Sequence, residues 1–395
     1  MSHPPLVLTR TAALAVRRGH PWVYREGLAR PPRALTEGSA VELADDEGAI
    51  LARGLWDPGS PIAVRVFDLS PKKGDRLDAR ALARRLARAI ARRDGWFGDD
   101  TTAYRLCNGE GDRLPGLVVD RYGDLAVLRL DTPALRPYLD SMLAEIKQAL
   151  RDRGVTKIAL RLEAPGPDGK KIRMLSGDPP PDRVIVREHG VAMEVDLAQG
   201  QKTGAFLDQR ENRARLRALA RGRERALNLF SYAGGFSVAM ALGGASHVTS
   251  VDVASAAHAT AQRTFRENGV DPSAHAFVSA DAFVFLEQAK KRGQRFDLVV
   301  SDPPSFAPSE RAKGRAETAY RKLHAAIAEV LDDGALFCAA SCSSHITLDD
   351  FLGTLDDRSL GRSDLVVREI FGQPADHPTL PAWPEGRYLK MVVLG

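Results

Sequence analysis

The sequence predicts an α/β protein in three parts: a small β-rich module, a small α+β module, and a larger doubly wound parallel sheet. Three observations predict it. Residues 1 to about 70 hold short alternating segments, such as Ser39–Leu43 and Ile62–Phe67, between Pro, Gly and Asp turns, which is the pattern of a small barrel-like module. From Leu77 to Leu162 a helical repeat is followed by hairpin patterns. From about residue 184 onward strands alternate with helices, which yields a parallel sheet covered on both faces. At 395 residues the chain is too long for one ordinary core, and the boundaries fall at 1–72, 73–185 and 186–395.

In the first part, Trp22 and Tyr24 follow a basic Arg17-Arg18-Gly19-His20 step. Aromatic and basic residues together can stack on and clamp RNA, and the same rings serve equally as core; both readings stand. In the second part Leu82, Leu86 and Ile90 recur four apart, with Arg80, Arg84, Arg88 and Arg92 on another face. That spacing predicts a helix over 77–90 whose arginine face either tracks phosphates or is simply solvated. Leu117–Asp120 and Leu125–Leu130, joined by Arg121-Tyr122-Gly123-Asp124, read as a β-hairpin. A helix over about 133–152 and a strand over 157–162 follow, and the Pro/Gly-rich segment 165–181 reads as a loop or boundary. In the third part strands are expected at 226–229, 248–251, 276–278, 298–301 and 335–340, with helices such as 255–268 and 318–331 between them. Segments 365–371 and 388–394 have no helix between them and read as a terminal antiparallel pair.

Composition narrows the function classes. Apolar residues are 44% and charged residues 27%, a globular balance. No stretch nears the roughly 18–20 apolar residues of a membrane span. Met1-Ser2-His3-Pro4-Pro5 lacks the order of a secretory signal, so a cytoplasmic protein with no membrane partner is expected. The cysteines are Cys107, Cys338 and Cys342; so sparse a set gives no disulfide framework and no zinc knuckles, and no metal is expected. A formal net charge of +5 permits a polyanionic partner without requiring one. No coiled-coil heptads fix the oligomeric state, and a homodimer is among the alternatives.

In a doubly wound sheet, ligands sit beyond the carboxyl ends of the strands. After the first strand comes Asn228-Leu229-Phe230-Ser231-Tyr232-Ala233-Gly234-Gly235-Phe236, whose glycine pair lets backbone approach a ligand. It is neither the dinucleotide GxGxxG nor a P-loop. Asp252 ends the second strand, where a carboxylate can accept from ribose hydroxyls. Asp281 ends the third, within reach of an adenine amino group in such a site, and Asp302 ends the fourth in Asp302-Pro303-Pro304. Each aspartate alone is equally a turn former or helix cap; it is their register on successive strands that points to a ligand. Asp302 can meet the polar edge of a flipped base. Cys342 lies just past the fifth strand, and a thiolate is the nucleophile that cytosine carbon 6 requires before carbon 5 can react. Cys338, inside the apolar run 335–340, reads as core.

The chain resembles the class I S-adenosylmethionine-dependent methyltransferases that methylate carbon 5 of cytosine in 23S ribosomal RNA. The resemblance rests on His20-Pro21-Trp22-Val23-Tyr24, Leu51-Ala52-Arg53-Gly54, Asn108-Gly109-Glu110-Gly111-Asp112, Leu114-Pro115-Gly116 and Lys202 to Arg210. It continues through Asn228 to Phe236, Asp302-Pro303-Pro304, Ser341-Cys342-Ser343, Ala375-Asp376-His377-Pro378 and Pro384 to Lys390. It implies an N-terminal PUA RNA-binding domain, a middle domain and a C-terminal Rossmann-like catalytic domain. It also implies S-adenosylmethionine as cofactor and ribosomal RNA as partner. Phe206 to Arg210 would cover the cofactor, with Arg210 near the methionine carboxylate. Asn228, Phe230, Ser231 and Gly234 would line the methionine side, Asp252 the ribose and Asp281 the adenine, with Asp302 counted among both cofactor and catalytic residues. Cys342 would be the covalent nucleophile. Other cytosine methyltransferases carry a second cysteine just after the prolines of the fourth-strand motif; Ser305 stands there in this chain. The alternatives are a base-nitrogen RNA methyltransferase, which has no use for Cys342, and a catalytically silent RNA-binding assembly factor. An NAD-dependent enzyme is more distant, because the glycine pattern fails.

Overall fold

Alternating apolar positions and tight turns build the first sheet from β1 (Leu6–Val7), β2 (Trp22–Tyr24), β3 (Ala40–Ala44), β4 (Ile50–Trp56) and β5 (Ile62–Leu69), in the order β1-β3-β4-β5-β2. This is a computed structural model, which describes residues 5–32, 35–72, 75–167, 169–198, 200, 202–307 and 309–395; Met1–Pro4 of the signal reading and Asp168 of segment 165–181 lie outside them. Helix α1 (Arg10–Arg17), capped by the Thr9 hydroxyl, lays Val16 into this sheet's core. Gly54 shows why its motif needs glycine: a Cβ there would stand 2.3 Å from the Arg65 carbonyl on the paired strand.

The second sheet runs β10-β9-β8-β7-β6, formed by β6 (Ala103–Asn108), β7 (Leu117–Tyr122), β8 (Leu125–Leu130), β9 (Lys157–Arg161) and β10 (Ile172–Ser176). Helices α2 (Ala79–Ala91) and α3 (Arg136–Arg151) pack against each other and share its core, where Leu82, Leu86 and Ile90 meet Leu106, Val119 and Ile146. Arg80, Arg84 and Arg88 lie on the exposed face of α2. Leu55 and Phe67 of the first sheet join the same cluster, so the two modules form one compact unit. That unit also takes in Val195–Leu207 and Ala375–Gly386. Segment 165–181 is not only a loop: β10 lies within it, antiparallel to β9. Its residues are half-buried or exposed at a sheet edge, so they carry no strong apolar signal among the flanking prolines and glycines.

A hairpin of β11 (Arg183–Glu188) and β12 (Val191–Asp196) opens the second unit, which takes in Ile185–Glu194. That unit is a seven-stranded sheet of β13 (Arg225–Leu229), β14 (His247–Asp252), β15 (Ala276–Ser279), β16 (Phe296–Ser301), β17 (Leu331–Ser341), β18 (Val367–Phe371) and β19 (Lys390–Leu394). The order is β15-β14-β13-β16-β17-β19-β18, with the first five parallel and β19 antiparallel to both neighbours. Its helices are α4 (Arg210–Leu219), α5 (Gly235–Leu242), α6 (Ser255–Glu267), α7 (Ala282–Lys291), α8 (Lys313–Ala328), α9 (Leu348–Leu352) and α10 (Asp357–Leu360). Strand order reverses at β13, between β14 and β16, which puts the ligand crevice at the ends of those strands. The helix expected over 318–331 stops at Ala328, because Leu331 already belongs to β17. Among the described residues no helix is long and apolar enough to cross a membrane.

Candidate active site

The loop after β13 is held in an unusual backbone shape. Phe230, Tyr232 and Gly234 have φ of +58°, +46° and +76°, the left-handed region that side chains normally avoid. Three hydrogen bonds hold it there: Ser231 N to Val251 O at 3.0 Å, Gly234 N to Ser231 O at 2.8 Å, and Tyr232 N to Asp252 Oδ2 at 2.8 Å. Gly234 cannot be larger, since a Cβ would sit 2.6 Å from the Ala261 methyl on α6. Asp252 also accepts from Ala254 N through Oδ1 at 2.9 Å, so its carboxylate links the β13 loop to the start of α6. Such strained loops persist only where the surroundings over-determine them, and they cluster at ligand sites.

Two buried polar atoms beside this loop, Asn228 Oδ1 and Ser231 Oγ, make no hydrogen bond. A buried polar group left unmet costs ~1–3 kcal/mol, so a polar ligand suits this place. Asn228 is fully buried, and its amide donates to Ser237 Oγ of α5 at 2.8 Å; it sits beneath the loop. Asp281 is exposed and caps α7, with Oδ1 accepting from Phe283 N at 2.9 Å and Val284 N at 3.2 Å. Arg210 opens α4 at 1% exposure, its Nε donating to Glu211. The residue before it, Gln209, donates to Asp302 Oδ2 at 2.8 Å, tying the start of α4 to the end of β16.

The ends of β16 and β17, paired neighbours in the sheet, bring Asp302 and Cys342 together. Cys342 follows the last residue of β17 and is half-buried, its Sγ 4.0 Å from the Pro303 carbonyl. Ser305 and Ser343 share a hydroxyl contact at 2.8 Å, and Tyr320 of α8 donates to Ser341 Oγ at 3.0 Å. Cys107 and Cys338 are both buried, and burial pushes the Cys338 thiol up to about 12. Sequence reasoning singled out neither Tyr320 nor Lys390, whose ammonium reaches the same turn; a buried lysine on a strand carries no pattern of its own. Among the described residues there is no group of three or more His, Cys, Asp or Glu able to hold a metal.

Several long motifs of the sequence lie elsewhere. Trp22 donates its indole N–H to Glu110 Oε1 at 2.8 Å, which also receives Arg65 at 2.9 Å, and its ring meets Trp383 edge to face at 5.2 Å. Trp22 is half-buried and packs within the first unit. Asp376 accepts from Arg105 N at 2.8 Å, the Pro378 carbonyl accepts from Asn108 at 2.8 Å, and Arg93 pairs with buried Asp112. These strings fold the first unit.

The profile of an S-adenosylmethionine-dependent methyltransferase matches residues 156–382, more than half the chain, and that of a PUA-like domain matches residues 6–69. The chain belongs to the S-adenosylmethionine-dependent methyltransferase family. The methyltransferase is 38% identical to a "Ribosomal RNA large subunit methyltransferase" of Deinococcus radiodurans, over 98% of this chain and 96% of the relative. It is 35% identical to a "Ribosomal RNA large subunit methyltransferase I" of Escherichia coli, over 98% and 97%. A putative SAM-dependent methyltransferase from Streptococcus mutans superposes with a TM-score of 0.86 at 25% identity, over 99% of this chain and all of that one. A putative methyltransferase solved with SAH gives 0.87 at 26%, with the same coverage. The methyltransferase thus uses S-adenosylmethionine, and the unmet polar atoms beside the strained β13 loop are compatible with a ligand of that kind.

Proposed function

We propose that this methyltransferase methylates carbon 5 of a cytosine in 23S ribosomal RNA, in the cytoplasm, through a covalent bond to Cys342. One observation carries the choice of chemistry: Cys342 Sγ stands 4.0 Å from the carbonyl of Pro303, beside the Asp302-Pro303-Pro304 turn. A base-nitrogen methyltransferase would have no use for a thiol there. The names of the curated relatives support ribosomal RNA as substrate.

S-adenosylmethionine supplies an electrophilic methyl group. Arg210 would meet its methionine carboxylate; Asn228, Phe230, Ser231 and Gly234 would line the methionine side. Asp252 would take the ribose hydroxyls and Asp281 the adenine amino group. The unmet Ser231 Oγ supports this reading. RNA would be held through phosphates and shape by the PUA-like module (1–72) and the α+β module (73–185), whose helix α2 exposes Arg80, Arg84 and Arg88. Chemistry would fall to the seven-stranded sheet within 186–395, not to Val195–Leu207 and Ala375–Gly386 of the first unit.

A target cytosine unstacks into the crevice. The Cys342 thiolate gives an electron pair to carbon 6, and the carbon 5–carbon 6 π pair moves onto carbon 5, which then takes a methyl group. Asp302 steadies the polar edge of the ring as charge develops. The carbon 5 proton passes to solvent, its bonding pair restores the double bond, and the sulfur–carbon bond breaks to return the thiolate.

Radiolabelled S-adenosylmethionine and unmodified ribosomal RNA, incubated with wild type and Cys342→Ala, test the reading. Label is expected in 5-methylcytidine for the wild type and is abolished in the variant, with SAH affinity retained. Label in a purine that ignores Cys342 would move the chain to base-nitrogen chemistry; no label on any RNA would leave an assembly factor.

A further inference from the structure

Lys390 is a buried ammonium beside the Cys342 turn. It opens β19, directly opposite Ser341 in the β17–β19 ladder, and is 6% exposed. Its Nζ donates to the carbonyls of Ser343 at 2.7 Å and Ile346 at 2.6 Å, which bracket the turn that follows Cys342. Among the described residues it forms no ion pair with a carboxylate; Asp350 of α9 is taken by Lys313 of α8 at 2.7 Å. Burying a cation without a counter-ion is expensive, and burial pulls Lys390 down to about 8, while the charges of Cys342 and Asp350 oppose that fall. A thiolate at Cys342 is the counter-charge this position lacks.

We propose that Lys390 is the positioning residue of Cys342: it pins the turn that carries the thiol and supplies the positive charge that favours the thiolate at neutral pH. The proposal rests on the reading of Cys342 as nucleophile. The proton leaves Sγ for solvent, Lys390 keeps its own, and Lys390 forms no bond to substrate. The other charged or titratable groups around the turn do not do this work. Asp302, after β16, accepts from the neutral Gln209 amide and its negative charge opposes a thiolate. Tyr320 of α8 is a neutral donor to Ser341, its hydroxyl pushed above the usual range mainly by burial. His345 pairs with Glu310 at 3.2 Å, and Lys313 is matched by Asp350.

The test is the pH profile of Cys342 alkylation by iodoacetamide, without RNA or cofactor, read on the Cys342 peptide by mass spectrometry so that buried Cys107 and Cys338 do not interfere. For the wild type the half-point is expected below the ~8.5 of an ordinary thiol. Lys390→Met should raise the half-point by about one unit and slow alkylation at pH 7 about tenfold, leaving the high-pH plateau unchanged; Lys390→Arg should restore the lower half-point. A variant that lowers the plateau without moving the half-point would make Lys390 a mere tie and overturn the charge role. So would a wild-type half-point at or above ~8.5, which decides the matter even if Lys390→Met fails to fold. The readout is independent of methyl transfer: if Cys342→Ala still labels cytosine, the nucleophile reading falls by that result, whatever the profile shows.

Discussion

Gly111 lies so close to Pro378 that a Cβ on it would stand 1.8 Å from the Pro378 carbonyl oxygen. Two motifs far apart in the chain therefore meet backbone to backbone inside the first unit, joined further by the Asn108 amide on the same carbonyl. Backbone cannot yield as the end of a flexible side chain would. Gly111→Ala should destabilise the first unit by roughly 3 kcal/mol or more, seen as a lower urea midpoint for its transition. An unchanged midpoint would mean that Ala375–Gly386 docks more loosely than the geometry says.

Asp281 separates two roles that its position after β15 permits. Oδ1 is spent on capping α7, so Asp281→Ala should cost ~1 kcal/mol. Asp281→Asn keeps the capping oxygen and should leave stability within about 0.5 kcal/mol of wild type. It turns the other oxygen into an N–H donor, which an adenine amino group cannot use. Titration calorimetry with SAH should then show about tenfold weaker binding for Asp281→Asn. Wild-type affinity in that variant would leave Asp281 as a cap alone.

The catalytic sheet was legible in the sequence because its strands are apolar runs that end on polar residues. Leu227, Leu229, Val299 and Val300 are fully buried, and Asp252 and Asp302 follow such runs. The terminal antiparallel pair was legible because no helical spacing separates its strands. The end of α8 was not: Ile327, Val330 and Leu331 continue an apolar spacing through a turn, although Leu331 is buried by pairing with Phe296. β10 escaped because edge strands of half-buried residues are held by backbone bonds, which composition does not record. The motifs around Trp22, Gly111 and Asp376 carried the family resemblance yet fold the first unit, whereas Lys390 ended one such motif and gave no hint of burial.

His324 makes the second unit sensitive to acid. The ring is fully buried on α8 among Tyr320, Phe337 and Phe351, with Nδ1 3.1 Å from the Thr354 carbonyl and Nε2 without a partner. Burial pulls its pKa down to about 4, against a smaller upward pull from the Thr354 carbonyl. Above the unfolded value of 6.5 both states hold the ring neutral, so the full stability is present. As pH falls from there toward 4 only the unfolded chain takes up the proton, and stability drains away, by on the order of 3 kcal/mol once pH passes the folded value. Urea midpoints of the second unit at pH 7.5 and 4.5 should therefore differ more for wild type than for His324→Phe, which has no proton to gain. Equal differences would show that carboxylates elsewhere set the acid response and that His324 is already solvated in the native state.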